Sequence, residues 1–289
     1  MRALSVQFPI VKRHAFFLAA PRRCTGLFLR RILAIRMDDK VVAFVGPCRR
    51  FWRIKMPFLF APVAQAVIPV QDTSDFFPVR RVYGAAKNYA PDIATCEEKK
   101  GFNPPVFLKS PDCIVPVQDG ATYLWPMPPR TSKMIPEFEL VACLGKGGRN
   151  LTLDQAKDCI WGWCVGYDFT RRLALEDRPD GAPWDLMKTL DGGAPVSAVC
   201  PAQRTKLPSA VAIRLYRNNE LMQDSSTDFM IASPAELLVQ ISRYWELQAG
   251  DIVFTGAPVN VPDAGIGDLF EGFVEGVGSL KVQIVPENA

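Results

Sequence analysis

The sequence predicts an α+β, β-rich fold with a single main domain, on three observations. From Arg81 onward, apolar segments of four to seven residues alternate with Gly, Pro and Asn, the rhythm of short strands and tight turns. Two segments carry full helix-start signatures. Hydrophobic residues make up 48% of the 289 positions without a run of about 18 uncharged apolar residues. The chain can therefore bury a substantial core without disulfides and shows no apolar membrane-crossing helix.

In chain order, the first region is residues 1–37. It contains eight Lys/Arg and no Asp or Glu, interleaved with apolar residues such as Phe16, Phe17, Leu27 and Leu33. Arg-rich, acid-free, amphipathic composition predicts a mitochondrial presequence, although serine is scarce. The alternative is a retained basic arm that contacts RNA or anionic lipid. Residues 38–79 form an extension that is basic to about position 57 and a proline-punctuated, extended lead-in thereafter. Charge is divided sharply. Residues 1–71 hold 13 basic against two acidic groups, and the remainder holds 21 against 28, so the overall +4 combines +11 with −7. A basic arm on an acidic body is the pattern.

Residues 80–289 form the main domain. Its strand candidates include the segments beginning at Arg80, Pro105, Phe138, Trp161, Val211, Asp251 and Leu280. Thr152-Leu-Asp-Gln155 is a capping box that opens a helix to about Ile160. Ser233-Pro-Ala-Glu236 is a second, with Pro at the first helical position and Leu237, Leu238, Ile241, Tyr244 and Trp245 forming one apolar face. Tyr216-Arg-Asn-Asn-Glu220 reads as a hairpin turn, because Asn tolerates positive φ. Eight cysteines lack any CxxC pair, and His14 is the only histidine. That excludes a Cys/His zinc site and leaves mostly buried free thiols in a reducing compartment.

Glu137-Phe-Glu139 lies in an apolar run. On a strand both carboxylates face one way, about 7 Å apart, while Phe138 faces the other. Partly buried carboxylates so placed repel each other and are costly to desolvate. A hard divalent cation such as Mg²⁺ or Ca²⁺ relieves both penalties, and Asp168, ending another apolar run, can supply a third oxygen. By spacing alone, a solvent-facing Glu-x-Glu edge is the commoner reading. By the same standard Lys188 is an ordinary surface lysine.

Longer motifs carry further. Phe77-Pro-Val-Arg-Arg-Val-Tyr83, Asn88-Tyr-Ala90, Pro105-Val-Phe-Leu-Lys109, Glu137-Phe-Glu139-Leu, Val165-Gly-Tyr-Asp168-Phe-Thr-Arg-Arg172, Trp184-Asp-Leu-Met-Lys188, Gln223-Asp224 and Gly250-Asp-Ile-Val-Phe-Thr-Gly-Ala-Pro258 follow in order. Over about residues 58–285 this series resembles the fumarylacetoacetate hydrolase superfamily, nearest to its acylpyruvate and fumarylpyruvate hydrolase branch. The resemblance implies a rolled mixed β-sheet with the active site at one mouth, and a dimer. It implies Mg²⁺ or Mn²⁺ (or Ca²⁺) on Glu137, Glu139 and Asp168. Lys188 would polarise the substrate, and Tyr89, Lys109, Arg172, Lys188 and Thr255 would bind it, with Thr255 in the loop bordering the pocket.

The sequence departs from that family where water is activated. The family's Asn-Tyr-x-x-His-x-x-Glu reads Asn88-Tyr-Ala-Pro-Asp92-Ile-Ala-Thr95, so Asp92 stands for the histidine and Thr95 for the glutamate. Glu97 or Glu98 could replace the acid, but no histidine is at hand. An ordinary aspartate is a weak base for water near neutral pH. The Arg-Asp-x-Gln that holds substrate ends in Leu175, Gly-Arg before Asn-Tyr is Ala86-Lys87, and Pro136 precedes Glu137. Asp92, Lys188 and Thr255 are thus the catalytic candidates, with Asp92 the doubtful one. Two functions follow. One is a catalytically degenerate structural or accessory subunit of a mitochondrial complex, such as the respiratory chain or mitoribosome, at the matrix or the matrix face of the inner membrane. The other is a matrix enzyme acting on a small keto acid: a Mg²⁺-dependent acylpyruvate hydrolase, or a decarboxylase of oxaloacetate type. Decarboxylation needs an electron sink more than an activated water.

Overall fold

The computed structural model describes residues 59–173, 183–205, 210–258 and 263–287, together with the backbone of four strands within residues 15–54. Those four, β1 (Ala15–Leu18), β2 (Ile32–Met37), β3 (Lys40–Val45) and β4 (Trp52–Ile54), pair antiparallel in chain order. They belong to a separate unit, residues 1–64. Strands thus run through the basic stretch and through residues 38–57, where the sequence suggested no element.

The main unit begins with a hairpin, β5 (Val67–Pro69) against β6 (Phe76–Pro78), with Ile68 opposite Phe77. Part of the expected extended lead-in is therefore paired. The principal sheet has eight strands. Along it run β8 (Val106–Lys109), β7 (Val82–Ala85), β17 (Ile252–Phe254), β11 (Lys133–Leu144), β12 (Ile160–Arg172), β13 (Ala194–Val196) and β9 (Ile114–Pro116), while β14 (Cys200–Pro201) pairs with β12. Two junctions, β17 with β7 and β13 with β9, are parallel, so the sheet is mixed. A second, five-stranded sheet runs β10 (Thr122–Pro126), β19 (Gly278–Val285), β18 (Leu269–Val274), β15 (Ala212–Arg217) and β16 (Glu220–Ser226).

The two sheets meet over β11 and β12. Phe138, Tyr167, Phe169 and Trp125 form a ladder of rings with centroids 5.0, 5.3 and 4.3 Å apart in succession. Gly272 on β18 lets Phe138 approach, since a Cβ there would lie 2.2 Å from its ring. The opposite face packs Val141, Cys143, Cys164, Val196 and Phe254 against Ile68 and Phe77. Both faces of β11 and β12 are buried, which explains their continuous apolar runs. The β5–β6 hairpin thereby covers part of that face.

Both capping boxes form. Helix α2 (Leu153–Lys157) stops short of the expected Ile160, which instead starts β12. Helix α4 (Pro234–Ser242) buries Leu237, Leu238 and Ile241, but Tyr244 lies past its end and is 68% exposed. Asn218 and Asn219, with φ of 52° and 69°, make the β15–β16 turn. Two helices lacked a full sequence signature: α1 (Ile93–Glu98) and α3 (Trp184–Lys188). The six cysteines within the described residues are buried and free; Cys24 and Cys48 lie outside them.

Candidate active site

The site starts from the register of two long strands. Glu137 on β11 is directly opposite Asp168 on β12, and Glu139 is opposite Gly166. The pleat therefore puts all three carboxylates on one face. Asp168 and Glu139 are 1% and 2% exposed, while the Glu137 side chain is 28% exposed.

Two lysines converge on them. Helix α3 brings Lys188, whose Nζ lies 2.5 Å from Asp168 Oδ2 and 2.5 Å from Glu137 Oε2. The end of β8 brings Lys109, whose Nζ donates to Asp168 Oδ1 at 2.7 Å and to the Lys188 carbonyl. Thr170 Oγ1 donates to Glu137 Oε2, and the Lys188 ammonium stands 4.8 Å from the Phe107 ring centroid. Lys188 is 5% exposed, so the surface-lysine reading fails. Burial alone would discharge it, but the charges of Asp168, Glu137 and Glu139 outweigh burial and raise its affinity for a proton. For Asp168 too, burial works against ionisation, and the Lys109 and Lys188 ammoniums reverse the balance to hold its carboxyl below the usual range.

Glu139 differs. Its Oε2 accepts from the Gly256 N–H at 2.5 Å, and among the described residues no cation reaches salt-bridge distance. Burial, then the like charges of Asp168 and Glu137, push its carboxyl well above the usual range. Tyr89 is its companion: the hydroxyl is buried without a hydrogen-bond partner, and burial followed by the Glu139 charge pushes that phenol up. An under-neutralised carboxylate beside an orphaned hydroxyl fits a hard divalent cation among oxygen donors. Among the described residues, no three His, Cys, Asp or Glu side chains already close on one point; the Lys188 ammonium occupies the interval between Glu137 and Asp168.

The loop after β17 seals this end. Asn88 Nδ2 donates to the Thr255 and Ala232 carbonyls at 2.8 and 2.9 Å, and its Oδ1 accepts from Ala232 N–H at 2.8 Å. Thr255 is fully buried and its hydroxyl donates to the Leu140 carbonyl at 2.8 Å. It is thereby occupied in holding β17 to β11, not open to a substrate as the resemblance implied. Lys109 is likewise committed to Asp168, and the Tyr89 hydroxyl is sealed from solvent. Arg172 lines the cavity mouth. Leu175 lies outside the described residues.

Asp92 requires the clearest correction. It is the N-cap of α1: its Oδ1 accepts from Thr95 N–H at 2.8 Å, in an exposed position. That bond holds its carboxyl below the usual range, which weakens it further as a base. Asp92 and Thr95 are absent from the lining of the cavity that holds Glu137 and Lys188.

That cavity measures about 640 Å³ and also admits Lys87, Trp184 and Met187. The resemblance gave no role to these residues. In the sequence Lys87 stands out only as a departure from the family pattern, and the one local signal for Trp184 and Met187 is that they lie within about a turn of Lys188.

Two packed β-sheets with acids and lysines clustered on β11, β12 and α3 beside a cavity define the class: a β-rich domain whose candidate site is built on carboxylate oxygens. Residues 81–285 match the family described as fumarylacetoacetate (FAA) hydrolase C-terminal, and the chain belongs to that family. A fumarylpyruvate hydrolase of Ralstonia sp. is 38% identical over 181 residues, 62% of this chain and 92% of that protein. A mitochondrial oxaloacetate tautomerase of Mus musculus is 29% identical over 206 residues, 71% and 91% respectively. The crystal structure of a Pseudomonas aeruginosa fumarylpyruvate hydrolase in complex with Mn²⁺ and pyruvate superposes with a TM-score of 0.74 at 38% identity. It covers 80% of this chain and all of that one.

Proposed function

We propose that this chain is a divalent-metal-dependent enzyme that enolises or decarboxylates small β-keto acids, rather than one that hydrolyses them. The observation carrying this reading is the intact Glu137–Asp168–Lys188 cluster, with Glu139 below it, in a site where Asp92, which stands for the water-activating histidine, is tied up as a helix cap. Glu137, Glu139 and Asp168 would hold Mg²⁺ or Mn²⁺. That ion, when bound, supplies a Lewis acid that withdraws electrons from the α-keto acid group.

The remaining work falls to the chain. The charge of Lys188 is held by two carboxylates, so the buried end of the cavity presents a proton-loaded donor to an oxygen that gains negative charge. In decarboxylation the bond to the departing carboxylate breaks, its electron pair moves to that oxygen, and carbon is later reprotonated. In tautomerisation a carbon proton leaves and the oxygen gains one. Neither route needs an activated water. Gly256, Thr255 and Asn88 fix Glu139 and close the inner end against solvent. The mitochondrial relatives and the acid-free first 37 residues support a matrix location.

The test is a panel of oxaloacetate and acylpyruvates with Mn²⁺ or Mg²⁺, monitored for enol absorbance, CO₂ release and C–C hydrolysis. Metal-dependent enol conversion or CO₂ release, abolished in Glu139→Ala, is the expected result. Efficient acylpyruvate hydrolysis would move the assignment to a hydrolase. Absence of all metal-dependent turnover would favour the accessory-subunit reading, which the replaced histidine also motivates.

A further inference from the structure

Two residues of β8 grip Lys188. Phe107 and Lys109 alternate along that strand, so both side chains point to one face, and both are buried while Leu108 between them is exposed. The Lys109 ammonium donates to the Lys188 carbonyl. The Phe107 ring lies under the Lys188 ammonium, 4.8 Å from Nζ to centroid. Trp184, four residues earlier on α3, packs on the same ring with centroids 5.2 Å apart. Residues four apart share a helix face, so both side chains seat α3 on Phe107. The ring itself is placed by Gly84, its partner across β7, where a Cβ would fall 2.2 Å from the ring.

This arrangement answers a conflict inside the site. Lys188 donates to Asp168 and Glu137, the carboxylates proposed to hold a divalent cation, and two cations on the same oxygens repel each other. Once those carboxylates turn to a bound cation, the ammonium loses its acceptors. A buried ammonium without partners is costly, and a flexible lysine side chain escapes that cost by swinging out to water. The face of a buried aromatic ring offers an attraction that survives, and it is strongest for a desolvated cation. Leucine would fill much of the space over Gly84, but an aliphatic side chain does not attract an ammonium.

We infer that Phe107 is a positioning residue: its ring keeps the Lys188 ammonium in the site when Glu137 and Asp168 are given over to a divalent cation. This rests on the proposed keto-acid function and adds to it the device by which one site holds a metal ion and a charged lysine together.

The experiment places fluorinated phenylalanines at position 107 of the full chain by amber suppression. Fluorine withdraws electron density from the ring face and leaves its shape nearly unchanged. Lysines carry ¹³C at Cε for NMR, and the Lys188 signal is assigned by its loss in Lys188→Met. In the wild type the Lys188 Cε protons are expected upfield of the other lysines, under the ring current of Phe107, and to stay upfield when Mg²⁺ is added. Phe107→Leu should abolish that shift. With saturating Mg²⁺, kcat for oxaloacetate should fall stepwise along the 4-fluoro, 3,5-difluoro and 3,4,5-trifluoro variants, by about tenfold at the last, with KM little changed. Their Tm should stay within about 2 °C of the wild type, which separates loss of attraction from loss of folding. A ring that only fills space would leave kcat level across the series. A level kcat, or a Lys188 signal that relaxes to the exposed-lysine position when Mg²⁺ binds, overturns the assignment while the keto-acid reading stands. A signal that stays upfield with Mg²⁺ bound, in a protein that turns over no keto acid, supports Phe107 and sinks the keto-acid reading. If Mg²⁺ changes neither Tm nor any signal, both fail together.

Discussion

The Lys188 ammonium is shared between Asp168 and Glu137 at 2.5 Å each, and these two carboxylates face each other across adjacent strands. The lysine therefore acts as an internal counter-ion in the interval a divalent cation would enter. Lys188→Met removes it and leaves the facing carboxylates of Asp168 and Glu137 with the Lys109 ammonium as their only close cation among the described residues, an effect worth about 2 kcal/mol after allowing for the partial exposure of Glu137. Thermal denaturation should show a lower Tm without metal. Added Mn²⁺ should restore more stability to the variant than to the wild type, because the ion no longer competes with an ammonium. A variant with an unchanged Tm would mean that the lysine does not neutralise the acids.

Lys109 and Asp168 form the most enclosed pair, with side chains 0% and 1% exposed. Lys109→Met should destabilise by about 3–5 kcal/mol, since one buried charge is left facing fewer partners. Asp168→Asn in the same chain should recover part of that loss. Denaturant midpoints of the two single variants and the double variant make a thermodynamic cycle, and coupling above about 1 kcal/mol is expected for groups in direct contact. Additive effects would show that the pair is not interacting.

Asn88 joins the turn after β7, the Thr255 loop and the segment before α4 through three side-chain hydrogen bonds. All are buried, so Asn88→Ala strands two carbonyls and an N–H without water. The loss should reach about 2–4 kcal/mol. Hydrogen exchange should also quicken first at Ala232, whose N–H loses its acceptor, and a uniform change across the domain would count against a local stitch.

How much of this was legible varies with the range of the interaction. The Glu137/Glu139 alternation placed two acids on one face, and the two apolar runs around Glu137 and Asp168 became β11 and β12. The Ser233 and Thr152 capping boxes form because their signals are contained within four residues. Long-range facts were not readable. Nothing local distinguishes Lys188 from a surface lysine, because its burial depends on α3 folding back over β12. Thr255 resembled a pocket residue, yet its hydroxyl is consumed by a carbonyl 115 positions away. Asp92, the doubtful candidate, shows a different limit. Asp followed three positions later by a free N–H is an ordinary N-cap pattern, and the family comparison drew attention to the missing histidine instead.

Asp92 and Thr95 also allow the water-activation step to be tested directly. Burial does not protect Asp92, and its bond to Thr95 N–H keeps it ionised to lower pH than a free aspartate. A carboxyl depressed in the folded state stabilises above its unfolded value of about 3.8 and loses that contribution as pH falls through the folded value. It therefore does not titrate between pH 5 and 9, and the wild-type pH–rate profile should show no limb from it there. Asp92→His with Thr95→Glu replaces the cap by the base and acid that the family resemblance calls for. The helix end should lose some stability with its cap. If α1 approaches the cavity when substrate binds, acylpyruvate hydrolysis should rise by about 10²–10⁴-fold, with a new limb near pH 6.5. Enolisation and decarboxylation should change little, since neither uses that base. A double variant that folds but gains no hydrolysis and no new limb would mean that the two replacements are not what separates this chain from a hydrolase. The other departures, Lys87 on the cavity and Pro136 on β11, would then carry the difference.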